Sequence, residues 1–85
     1  MTPFTVRWNR RAIRTLATIY LQAGDRRAVT RAQARADQEL ARDPYRHGRH
    51  LSEGLYRIDV PPLVLTYTID AARRQVEVAS VRSAP

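Results

Sequence analysis

Five side chains in the second half of this 85-residue chain have the chemistry to act on a phosphate group: Arg49, His50, Glu53, Arg57 and Arg82. A guanidinium presents parallel N–H donors that fit two oxygens of one phosphate. An imidazole or a carboxylate can take up or release a proton. Arg57 falls within a run of period two, on the side opposite Tyr56, Ile58 and Val60, so it is expected on the solvent face of a strand. Arg82 joins that face if the last strand carries a bulge. Arg49, His50 and Glu53 precede the strand of Arg57 as its candidate proton-transfer and phosphate groups. Each has a plainer reading beside the chemical one. Arg57 can pair with Asp59 or Glu77, Arg82 can be a solvated charge near the terminus, and the other three can be ordinary loop polarity. His47 reads as solvent-exposed. Two histidines at this spacing, with no further ligand set, do not make a metal site, so neither metal nor cofactor is expected. Cysteine is absent, which removes disulfides, thiolate ligands and a cysteine nucleophile.

These groups need a scaffold, and the hydrophobic pattern supplies one. Phe4, Val6 and Trp8 alternate with polar residues as a short strand. Asn9 is placed to cap a helix carrying Ala12, Ile13, Leu16, Ala17, Tyr20 and Ala23, with Gly24 at its C′ position. Trp8 and Tyr20 read as core. Asp25 caps a second helix over 26–42, whose narrow stripe is Val29, Ala32, Ala36 and Leu40. Its alanines allow close approach in a helical hairpin. Arg35 is relieved by Glu39 four residues on, and Asp43-Pro44 stops the helix. Residues 44–52 read as a polar loop. Tyr56 to Val60, Leu63 to Ile69 and a strand from Val76 then form a meander. It is broken at Pro61-Pro62 and turned at 70–74. Val81 requires a bulge near Ala79-Ser80. The expected order is β-α-α-β-β-β, an α+β domain over 1–85 with a helical hairpin on a small, largely antiparallel sheet.

Charge is lopsided. All 15 basic residues are arginine, against 8 acids, for a net +7. Residues 1–42 hold nine arginines and three acids, and residues 43–85 six and five. Such a basic half suits an anionic partner, although codon bias accounts for much of the preference for arginine over lysine. With 44% hydrophobic and 27% charged residues, the chain is expected to be globular. No run is long enough to span a membrane, and the N-terminus lacks a signal-peptide pattern. A cytoplasmic protein is the expectation.

This order of elements resembles the RelE/ParE superfamily of toxins from type II toxin–antitoxin systems. The resemblance rests on Trp8-Asn9 after the opening strand, Ala12 and Leu16, Leu40 with Asp43-Pro44, and Gly48. It continues through Gly54-Leu55-Tyr56-Arg57-Ile58, Leu65-Thr66-Tyr67-Thr68-Ile69-Asp70, Val76-Glu77-Val78 and Val81-Arg82. It implies a small bacterial toxin held inactive by a cognate antitoxin, as a heterocomplex or homodimer. RelE-like members cleave mRNA in the ribosome without a metal, whereas ParE-like members poison DNA gyrase.

Under the nuclease reading, a base activates the ribose 2′-OH and an acid protonates the 5′-oxygen. Cations offset the phosphorane-like charge, and aromatic surfaces stack on splayed bases. The resemblance matches Arg57 to the sheet arginine on the scissile phosphate and Arg82 to a basic residue of the final strand. It places acid/base groups near Arg49, His50 and Glu53, while Tyr45 or Tyr56 offers an aromatic surface. Several active relatives carry a histidine or tyrosine just after the last strand, where this chain has Ser83-Ala84-Pro85. The function that the resemblance implies, with Arg57 and Arg82 as its phosphate groups, is a ribosome-associated mRNA endonuclease, and the altered tail departs from that pattern. The alternatives are a non-enzymatic gyrase poison and a member that only binds its antitoxin.

Overall fold

Asn9 fixes how the first helix leaves the sheet. Its Oδ1 accepts the Ala12 N–H at 2.7 Å, as an N-cap should, and its Nδ2 donates to the Ala79 carbonyl at 3.1 Å. One side chain thus caps a helix and ties it to the last strand. The computed structural model describes residues 3–84. In chain order these form β1 (Thr5–Trp8), α1 (Arg10–Gln22), α2 (Arg26–Arg42), α3 (Pro44–His47), β2 (Arg49–Ser52), β3 (Leu55–Val60), β4 (Leu63–Asp70) and β5 (Gln75–Ser83).

The strands make one five-stranded sheet in the order β1-β5-β4-β3-β2. β1 lies parallel to β5, and the other three pairings are antiparallel. Both long helices pack on one face, α1 chiefly against β5 and α2 against β1, β3 and β4. The buried core joins Ala12 and the α2 stripe Val29, Ala32, Ala36 and Leu40 to the inward residues of β3, β4 and β5. Removing these apolar side chains from water is the main force holding the two layers together. Trp8 packs at the margin of this core and donates its indole N–H to Asp37 Oδ1 at 2.8 Å, linking β1 to α2.

The α+β plan and helical hairpin match the sequence expectation, and four details differ. Residues 44–52 are not a loop. Asp43 ends α2 and its carboxylate then accepts the N–H groups of Tyr45 and Arg46, starting α3 with Pro44 in its first turn. β2 follows as an edge strand exposed at every residue, so it carries no alternation to read. The meander therefore has four strands. α1 ends in extended backbone at Ala23, with no left-handed Gly24. The Ala23 N–H still donates to the Tyr20 carbonyl, and the Arg26 guanidinium adds donors to the carbonyls of Tyr20 and Leu21 at 3.2 and 3.1 Å. Finally, α1 is rotated from its expected face. Ala12, Leu16, Ile19 and Ala23 face the core, whereas Ile13 and Tyr20 are 54% and 40% exposed. Tyr20 is not a core residue.

The bulge is where the pattern requires it. Thr66 opposes Ser80 and Tyr67 opposes Val78, so Ala79 is the extra residue. It restores Val81 to the core, at 5% exposure, and turns Arg82 to the other face. The bulge's carbonyl is the one that Asn9 satisfies.

Candidate functional site: an arginine face on the sheet

The inward faces of β3, β4 and β5 carry Ile58, Leu65 and Val81, so their neighbours along each strand point away from the helices. The register then sets the outer face. Arg49 of β2 lies opposite Arg57 of β3, and Arg57 lies opposite Thr66 of β4. Two residues along, Asp59 lies opposite Val64, and Val64 opposite Arg82 of β5. Three arginines from three strands surround one acid.

Arg57 and Asp59 are i, i+2 on one strand and form a two-point ion pair. Nε donates to Oδ1 at 2.8 Å and Nη2 to Oδ2 at 3.2 Å. The Arg57 hydrogen bond holds the Asp59 carboxyl below its ordinary range against partial desolvation, with help from the charges of Arg57, Arg49 and Arg82. The same hydrogen bond raises the guanidinium of Arg57 above its usual value. Arg49 and Arg82 make no ion pair among the described residues. A shallow hollow of about 290 Å³ opens here, lined by His47, Gly48, Arg49, Arg57, Ile58 and Asp59.

The structure thus brings Arg49, Arg57 and Arg82 together and separates them from the other two candidates. His50 lies opposite Tyr56 and turns its ring to it, centroids 5.1 Å apart, on the side away from Arg49. Glu53 is exposed in the turn between β2 and β3, beside Gly54, whose φ of 66° suits glycine. Two further residues belong to this region without being prominent in the sequence. His47 lines the hollow from the end of α3, and Asp59 is the acid that engages Arg57. The i, i+2 spacing of Arg57 and Asp59 signals the second. Nothing in the sequence signals the first, because α3 shows no pattern of its own.

An aromatic cluster buttresses this corner from within. Tyr56 stacks on Tyr67 with centroids 5.6 Å apart, and Tyr45 meets Tyr56 edge-on at 6.0 Å. Tyr67 is fully buried, and its hydroxyl donates to the Pro44 carbonyl at 2.5 Å. Burial, then the neighbouring Tyr56 and Asp43, pushes that hydroxyl's pKa up to about 12. Gly48 passes against this ring. An added Cβ would overlap the hydroxyl and lie 2.7 Å from Cζ. Tyr67 and Gly48 thereby hold α3, and with it His47, over the edge of the sheet.

Among the described residues, no group of three or more His, Asp or Glu side chains is placed to hold a metal ion. No helix is long and apolar enough to cross a membrane.

No protein-family model and no curated protein sequence matches this chain. Solved structures do. A chain of the toxin–antitoxin complex RelBE2 from Mycobacterium tuberculosis is 27% identical, with a TM-score of 0.82 over 98% of this chain and 93% of that one. A chain of the chromosomal ParDE toxin–antitoxin system of P. aeruginosa has 14% identity and a TM-score of 0.71, covering 96% and 97% of the two chains. The isolated E. coli RelE toxin has 15% identity and a TM-score of 0.66, covering 96% of this chain and 85% of its own. The last two show a common fold and no more. With its helical hairpin on a mostly antiparallel five-stranded sheet, the chain has the fold of the RelE/ParE toxins, and it is similar to a chain of the RelBE2 complex along almost its whole length.

Proposed function

We propose that this protein is the toxin of a bacterial type II toxin–antitoxin system, and that it halts translation as a ribosome-associated mRNA endonuclease. The observation that carries the reading is the convergence of Arg49, Arg57 and Arg82 on one exposed sheet face, with His47 in the same hollow. The arginines supply donors and positive charge for a scissile phosphate and for the charge that builds on it during 2′-OH attack. His47 supplies a group able to move a proton to or from a ribose or leaving oxygen. The cognate antitoxin is its expected protein partner, since the RelBE2 neighbour is itself a toxin–antitoxin complex.

One observation favours a second reading. His50 and Glu53 lie off the arginine face, and Asp59 is a weakened base because Arg57 stabilises its charged form. A face that binds without cleaving would suit a ParE-like toxin that engages a protein such as DNA gyrase.

Induced expression in bacteria separates the two. Arg57→Ala should restore growth while antitoxin binding and the fold persist. Arrested wild-type cells should show cleaved mRNA and normally supercoiled plasmid. Intact mRNA with relaxed or linearised plasmid would instead support the gyrase reading, and undiminished toxicity of Arg57→Ala would remove the arginine face from either account.

A further inference from the structure

The arginine face already holds an anion, and the anion is its own. Asp59 takes both Nε and Nη2 of Arg57, in the paired geometry with which a guanidinium grips two oxygens of a phosphate. It also lies within the influence of Arg49 and Arg82. Neither of these makes an ion pair among the described residues, so the acid stands where a ligand oxyanion would meet Arg57 directly and the charges of Arg49 and Arg82 as well.

We propose that Asp59 is a built-in competitor that occupies the site for one phosphate group of a nucleic-acid backbone and must swing aside before that phosphate can bind. The incoming phosphate exchanges two of its oxygens for Oδ1 and Oδ2 on Arg57 and recruits Arg49 and Arg82. Asp59, more than half exposed, has open solvent to turn into. The consequence is selectivity by charge. An anion held at this one point displaces a seated carboxylate poorly, whereas a backbone that is also held at neighbouring phosphates brings many charges at once and does so. Exposed ion pairs are only modestly favourable and are screened by salt, so the exchange is easily reversed. The identification of the ligand as RNA backbone rests on the proposed nuclease reading, but the competition itself does not.

The test uses the whole protein and two probes, inorganic phosphate and a short single-stranded RNA, titrated at low salt and followed by amide chemical shifts. Asp59→Asn should tighten both by about fivefold, the scale of an exposed ion pair. Glu77→Gln is the control. It makes the same change in net charge on the same sheet face, opposite Thr68 and Arg7, and should change affinity far less. The gain from Asp59→Asn should vanish in an Arg57→Ala background. Equal gains from Asp59→Asn and Glu77→Gln would overturn the proposal, since net charge alone would then explain both. Weaker binding by Asp59→Asn would also overturn it, because Asp59 would then be holding Arg57 in place for the ligand. Tighter phosphate without tighter RNA would keep the competition and remove RNA as the ligand, which distinguishes this failure from failure of the nuclease reading.

Discussion

At the scale of single residues, Tyr67 carries more than its bulk. It is closed off from solvent, stacks on Tyr56 and donates to the Pro44 carbonyl. Tyr67→Phe keeps the ring and leaves that carbonyl without its donor, which should cost about 1–2 kcal/mol in denaturant unfolding. The pH dependence has a definite sign. A tyrosine whose folded pKa is raised to about 12 contributes stability that is fully present below its unfolded value of about 10. That contribution is lost as pH rises from there through the folded value. Wild-type protein should therefore lose stability steeply in this alkaline window, and Tyr67→Phe should lose distinctly less. Parallel curves for the two proteins would mean the hydroxyl is not protected. Tyr67 is legible as an inward residue from its alternation with Leu65 and Ile69. Its partner is not, because Pro44 is 23 positions away and α3 carries too few residues to show a period.

Among the elements, β5 decides which side chains reach the site. The pattern Val76, Val78, Val81 requires one extra residue, and the structure supplies it at Ala79. Side chains alternate with period two, so a one-residue slip exchanges the faces of everything beyond it. Inserting one alanine between Ser80 and Val81 should direct Arg82 toward the core and Val81 toward solvent, whereas deleting Ala79 would only remove the bulge and keep both faces. Unfolding should then be easier by at least about 2 kcal/mol, the range for burying an unpaired charge or opening a core cavity. Binding at the arginine face should weaken in any fraction that still folds. An unchanged melting midpoint would show that β5 re-registers without cost. The bulge, both N-caps and the α2 stripe are readable because each is a local conflict or period. β2 is not, because an edge strand exposed on all four residues gives no hydrophobic alternation. Without β2 the sequence points to His50, whereas the fold turns His50 to Tyr56 and places His47 in the hollow lined by Arg49 and Arg57. Facing is set by where a strand begins, and β2 begins at Arg49. The face of α1 is ambiguous for a related reason. Ile13, Ala17 and Tyr20 form as good a helical stripe as Leu16, Ile19 and Ala23, and only packing against β5 chooses between them.

For the molecule as a whole, the excess of arginine divides into two populations. Most of it lies in the helical half, on α1 and α2, where it flanks the exposed apolar side chains Ile13, Tyr20 and Leu21. A smaller group, Arg49, Arg57 and Arg82, is gathered on the opposite side of the sheet by register rather than by proximity in sequence. The RelE/ParE-like fold and this second group underlie the proposed action of the outer sheet face on mRNA phosphate at the ribosome. The most direct test adds purified wild-type and Arg57→Ala protein to a cell-free translation reaction and maps mRNA 5′ ends by primer extension. New ends within translated codons are expected with the wild type, only when ribosomes are translating, and their yield should fall by at least about 100-fold with Arg57→Ala, the scale for losing a donor to transition-state charge. Intact mRNA in the presence of active wild-type protein, or equal cleavage by Arg57→Ala, would contradict the account.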